Sequence, residues 1–166
     1  MKVTKIYFDM DGVLVDFDRG VVELCHMEPK EQDTDQAHAA EMWKRMSQID
    51  HYYAQLKPAK DALKLFNTLN DKYPGKCEIL TGIPKPDKNI KHAAEDKREW
   101  IRKYLGEEIV THIVYRAQKK DYAKDGCILI DDLGATIADW NECGGTGIKH
   151  TSVSDTIKQL KKLEVI

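Results

Sequence analysis

Apolar residues fall along this chain in two kinds of block. Short runs rich in β-branched and aromatic residues, at 5–8, 77–81, 109–115, 127–131 and 147–150, predict strands. Between them, apolar positions recur at helical spacing over 59–69, 94–105, 135–143 and 156–163, with Gly106 closing the second stretch and Gly144-Gly145 the third. In the second, Trp100, Ile101, Tyr104 and Leu105 share one face, which places this helix against the sheet and Trp100 in the core. Regular alternation of strand and helix predicts an α/β fold with a doubly wound parallel sheet. One stretch breaks the rhythm. The polar helical pattern over 31–56 makes the connection after the first strand too long for a simple crossover, and it predicts a small helical cap spanning 18–58 on a core made of 1–17 and 59–166.

The polar residues that punctuate the strands carry the chemistry. The first strand runs into Asp9-Met10-Asp11-Gly12, two carboxylates one residue apart followed by a glycine that lets the chain turn sharply. Such a pair repels itself unless a cation lies between the two acids. An ordinary acidic turn has the same local pattern. A calcium loop does not, because counting from Asp9 puts Val13, Leu14 and Gly20 at its fifth, sixth and twelfth positions. A second acidic pair, Asp131-Asp132, ends another apolar strand. In an open parallel sheet, ligands bind beyond the carboxyl ends of the strands, where Asp9, Asp11, Asp131 and Asp132 would surround one ion. Hard oxygen donors favour Mg²⁺, which keeps waters and accepts a phosphate oxygen. A third strand ends in Thr81-Gly82, a hydroxyl and a free backbone N–H suited to phosphate oxygens, and the run from Arg116 to Lys120 supplies cations for the same group.

These four segments, in this order, resemble the four motifs of the haloacid dehalogenase-like phosphohydrolases. Asp9-x-Asp11-Gly12-Val13 is similar to the first, Thr81 to the second, a lysine at 119 or 120 to the third, and Asp131-Asp132 to the fourth. Within that superfamily the chain resembles the 5'(3')-deoxyribonucleotidases, through Asp9 to Phe17, Lys97 to Ile101 with Leu105-Gly106, and Leu129 to Asp132. The resemblance implies a Mg²⁺-dependent phosphomonoesterase acting on nucleoside monophosphates. Asp9 is then the nucleophile that forms an aspartyl-phosphate, and Asp11 the general acid and base. Thr81, Gly82 and the lysine hold the phosphate. The metal lies on Asp9, the backbone carbonyl of Asp11 and Asp132, with Asp131 in a supporting position. Phe17 stands where the nucleotidases place an aromatic against the base. Counting does not separate Lys119 from Lys120, although the spacing of phage-like relatives favours Lys119. Gly82 departs from the second hydroxyl of the mammalian enzymes. The alternatives are a phosphatase for another ester, such as a sugar phosphate or a polynucleotide 3'-phosphate, and a catalytically idle phosphate-binding module.

Composition narrows the partners. The 166 residues carry a formal net charge of −2, so no basic footprint for long nucleic acids exists, while a small phosphate ester remains compatible. Cys25, Cys77, Cys127 and Cys143 show neither paired spacing nor a zinc-type pattern with histidine, which predicts reduced thiols. The start of the sequence has no apolar leader and no stretch is long enough to span a membrane, so the cytoplasm is the expected location.

Overall fold

The computed structural model describes residues 1–30 and 35–166, so the first four positions of the predicted helical stretch 31–56 lie outside the described residues. Five parallel strands form one sheet: β1 (Lys5–Phe8), β2 (Cys77–Gly82), β3 (Thr111–Val114), β4 (Cys127–Asp131) and β5 (Thr146–Lys149), in the order β3-β2-β1-β4-β5. Among the described residues six α-helices accompany them: α1 (Phe17–Cys25), α2 (Gln36–Ser47), α3 (Ala62–Lys72), α4 (Ala93–Tyr104) and α5 (Gly134–Glu142) lie between strands, and α6 (Val153–Lys162) follows β5. The expected doubly wound α/β architecture is present.

Strand alternation explains why both faces are covered. Side chains of successive strand residues point to opposite faces, and here both sets are mainly apolar, with Glu78 of β2 buried in ion pairs to Lys5 and His112. Ile6 and Phe8, Cys77 and Ile79, and Ile128 and Ile130 belong to one core with Phe66 of α3, Trp100 of α4 and Leu160 of α6. Tyr7, Leu80, Cys127 and Leu129 belong to a second core with Ile137 and Trp140 of α5. A strand buried on both faces reads as a continuous apolar run, which is the pattern of 127–131.

Element ends moved where side chains or tertiary hydrogen bonds decided them. The third helix begins at Ala62 rather than 59, because the Ala59 N–H is drawn to the Leu14 carbonyl at 2.8 Å. The last helix begins three residues earlier than periodicity indicates, because the Ser152 hydroxyl accepts the Asp155 N–H at 3.0 Å and caps it. Helix α1 is absent from the sequence reading. It is a short helix with Gly20 inside it, stabilised by an Asp16 cap and by close packing of Gly20 on Leu56.

The segment after β1 leaves and re-enters the core at one place. The Asp16 N–H donates to Lys57 O at 2.9 Å, while Ala59 N–H donates to Leu14 O. The Trp100 indole N–H donates to Leu56 O at 2.9 Å and pins the returning chain, with its 3-10 turn Tyr52–Gln55, onto α4. Trp100 is 1% exposed, as its place on the apolar stripe implies.

Candidate active site

Register brings the polar strand ends together. Phe8 pairs with both Ile79 and Ile130, so Asp9 and Asp131 follow at one level, with Thr81 and Gly82 just beyond on the other neighbour of β1. Past Phe8 the chain wraps tightly, and the N–H groups of Val13, Leu14 and Val15 all point to Met10 O. This turn depends on Gly12, whose φ is 83°. A Cβ there would also lie 2.1 Å from Asp132 Oδ2, so the missing side chain makes room for that carboxylate.

The result is a cleft of about 800 Å³ lined by Asp9, Asp11, Gly82, Lys119, Asp131 and Asp132, with Phe17, Trp43 and Tyr53 contributed by the segment after β1. Carboxylate oxygens of Asp9, Asp131 and Asp132 lie within 4.8 Å of one another. Lys119 is 4% exposed and bridges two of them, with Nζ 2.9 Å from Asp9 Oδ1 and 2.7 Å from Asp131 Oδ2. Asp131 also accepts the Leu133 N–H at 2.9 Å, which fixes its orientation.

The charges do not balance within this group. Burial would lower the Lys119 ammonium, but Asp9 and Asp131 outweigh it and hold its pKa above the ordinary lysine range. Desolvation of the Asp132 carboxyl by the packed cleft wall, although this residue still meets solvent at the cleft mouth, together with the negative charges of Asp9 and Asp131, pushes its pKa up to about 8. Burial and Asp9 act on Asp131 in the same direction, against the pull of Lys119. Three convergent carboxylates sharing one ammonium therefore lack a positive charge. An oxygen-only donor set with that deficit fits a hard divalent cation.

Asp11 is set apart from this cluster. Its Oδ2 accepts a hydrogen bond from Lys97 Nζ at 2.9 Å, whereas Oδ1 is buried without a partner among the described residues. Burial raises its pKa, Lys97 opposes the rise, and Asp9 adds to it. One oxygen of this acid is therefore anchored, and the other keeps unused hydrogen-bonding capacity.

Comparison with solved structures identifies the frame. A superfamily hydrolase of the haloacid dehalogenase type from Ehrlichia chaffeensis superposes over 98% of both chains with a TM-score of 0.59 and 14% identity. The chain has the haloacid dehalogenase-like fold. In sequence it is 30% identical over 127 residues to a putative 5'(3')-deoxyribonucleotidase of Vibrio phage KVP40, covering 76% of this chain and 65% of the relative. It is 25% identical over 149 residues to the human mitochondrial 5'(3')-deoxyribonucleotidase, covering 79% of this chain and 63% of the relative. The chain thus spans slightly under two thirds of these relatives' lengths. No family model matches it.

Within this haloacid dehalogenase-like frame, the residues singled out from sequence are not equally placed. Asp9, Asp11, Gly82, Lys119, Asp131, Asp132 and Phe17 line the cleft, but Thr81 and Lys120 do not. Thr81 is fully buried behind the wall, 2.9 Å from Lys97 Nζ. Lys120 is exposed, because neighbouring residues on the 3-10 turn Arg116–Tyr122 point in different directions and, of the two lysines, Lys119 is the one that turns inward. Lys97 went unassigned in the sequence reading. It is 1% exposed and donates to Asp11, to Thr81 and, at 2.8 Å, to Gly82 O, with its ammonium 4.7 Å from the centre of the Tyr53 ring. A signal for it exists, since Lys97 lies three residues before Trp100 and four before Ile101, on the apolar face of α4. A lysine on that face must be paired when the helix docks. Among the described residues, no helix is long and apolar enough to cross a membrane.

Proposed function

We propose that this chain is a Mg²⁺-dependent phosphomonoesterase that works through an aspartyl-phosphate, with nucleoside monophosphates as its substrates. The observation that carries the reading is the convergence of Asp9, Asp131 and Asp132 within 4.8 Å, with Lys119 against Asp9 and Asp11 beside it. Asp9, Asp132 and the backbone carbonyl of Asp11 would hold the ion, with Asp131 supporting them. When bound, Mg²⁺ would supply the missing positive charge for the phosphoryl oxygens.

The chain's own groups account for the rest. An Asp9 oxygen attacks phosphorus as the P–O bond to the leaving group breaks, and the departing alkoxide takes the proton of Asp11. Asp11, now a carboxylate, accepts a proton from the water that attacks the same phosphorus and frees Asp9. Lys119 and the Gly82 N–H neutralise charge on the equatorial oxygens. The roles of Thr81 and Lys97 are indirect: Thr81 bonds the ammonium that anchors Asp11.

Residues 18–58 serve as the cap. Phe17, Trp43 and Tyr53 on the cleft wall give aromatic area for a nucleobase, and the two deoxyribonucleotidase relatives support a nucleotide over a sugar phosphate. The test is phosphate release from a panel of nucleoside and sugar monophosphates with Mg²⁺, for the natural chain and for Asp9→Asn. Rates that favour nucleotides and vanish in Asp9→Asn are expected. Release that persists in Asp9→Asn would refute the covalent mechanism.

A further inference from the structure

We propose that Asp50, His51 and His92 form a second cation site, of nitrogen-rich character suited to Zn²⁺ or a similar transition-metal ion, which clamps the cap segment to the head of α4. None of the three residues lines the catalytic cleft. Each offers a donor atom, and the three donors lie within 4.8 Å of one another. The two imidazoles stack with ring centres 4.7 Å apart and planes 20° apart, so the His92 ring must turn about its side-chain bonds for both in-plane lone pairs to meet at one ion.

The carboxylate behind His51 decides which nitrogen is presented. His51 Nδ1 lies 2.8 Å from Oδ1 of Asp96, a residue 4% exposed in the first turn of α4. An ionised carboxylate only accepts hydrogen bonds, so Nδ1 carries a proton; Asp96, with Asp50, also raises the His51 pKa, so an incoming ion takes the Nε2 position by displacing its proton. That Nε2 is 3.7 Å from Asp50 Oδ1. Tetrahedral ligands at Zn²⁺ bond lengths stand about 3.4 Å apart, so small side-chain rotations bring this pair to coordinating distance. A buried carboxylate behind an imidazole that ligates through its other nitrogen is a recurring outer-shell arrangement of metal-binding histidines. The other oxygen of Asp96 has no partner among the described residues, so no competing donor draws this carboxylate away from His51.

Donor chemistry separates the two sites. The cleft presents carboxylates alone, whereas this one presents two imidazoles and a carboxylate, a set that selects Zn²⁺, Ni²⁺ or Cu²⁺ over Mg²⁺. Three protein ligands leave the fourth position to water. Location gives the ion its effect: Asp50 and His51 immediately precede the 3-10 turn that α4 packs against, and His92 is the residue before α4. An ion shared between them ties the cap to the helix that carries Lys97.

The experiment is calorimetric titration of the whole 166-residue chain carrying Asp9→Asn and Asp132→Asn with Zn²⁺, followed by Co²⁺ as a visible-absorption probe of coordination. Removing those two carboxylates silences the cleft and makes the result independent of whether the cleft hydrolyses phosphate esters. One equivalent of Zn²⁺ should bind. On the same background, His92→Asn and His51→Asn should each weaken binding at least tenfold; asparagine tolerates the left-handed backbone at both positions, where φ is 63° and 51°. Asp96→Asn should weaken it about 10- to 100-fold. Zn²⁺ uptake that is absent on this background, or is unchanged by both histidine replacements, overturns the proposal.

Discussion

Replacing Lys97 by methionine removes a buried ammonium while keeping most of the apolar stem. The structure sets the size of the effect. At 2.9 Å and an effective dielectric constant near 20, the attraction between Lys97 and an ionised Asp11 is about 6 kcal/mol before desolvation. Orphaning one partner of a buried pair costs about 3–5 kcal/mol, and the lower end applies because the Asp11 side chain keeps 29% of its exposure. Stabilisation withdrawn from the Asp11 carboxylate moves its pKa further upward. The sign follows directly: with its cation gone, Asp11 holds its proton to higher pH. It remains a competent acid in the first half-reaction and a poor base in the second. Steady-state phosphate release near neutral pH should fall about 100-fold, recover as pH rises, and be preceded by a burst of alcohol product as phosphorylated Asp9 accumulates. Urea denaturation supplies an independent arm. Lys97→Met should be destabilised by about 3 kcal/mol, and Lys97→Met/Asp11→Asn should regain most of that loss because no charge is left unpaired. A pH–rate profile that superimposes on that of the natural chain, with no burst and a stability change under about 1 kcal/mol, would refute the reasoning.

Other perturbations probe the remaining parts. Gly12→Ala meets both a positive φ and the Asp132 carboxylate, so Mg²⁺ affinity measured from the activation curve should weaken at least tenfold, with a stability loss of about 1–2 kcal/mol. In the metal-free protein Asp132 is pushed up to about 8, so its proton must leave when a cation binds; Mg²⁺ affinity by calorimetry should fall about tenfold per pH unit below 8 and level off above it. The same shift means that the metal-free fold loses stability as pH rises from about 4 towards 8, so the gain in melting temperature on adding Mg²⁺ should be larger at pH 8 than at pH 6. A pH-independent affinity would show that Asp132 is not a ligand. Phe17→Ala should raise KM for a nucleoside monophosphate about tenfold while leaving an unadorned aryl or alkyl phosphate within about twofold, and equal losses on both would remove Phe17 from the base pocket.

Much of this molecule is determined locally. Doubly buried strands must be apolar runs, so β1, β2 and β4 stand out along the chain, and the acids that end β1 and β4 mark the edge of the candidate site because a parallel sheet aligns its carboxyl ends. Gly12 is tied to the turn after Asp11 by the conformation that the turn needs. Helix α1 and the start of α3 escaped local rules because long-range partners, Leu56 for one and Leu14 for the other, decide them. Tertiary structure alone chose Lys119 over Lys120, since two adjacent lysines are chemically alike until one is turned inward between Asp9 and Asp131. It also decided Lys97, whose charge is paired by residues from β2 and from the loop after β1 rather than by its own helix. The physical reason is the same in both cases. Burying an ammonium is unfavourable unless several oxygens converge on it, and that convergence is a property of the assembled fold.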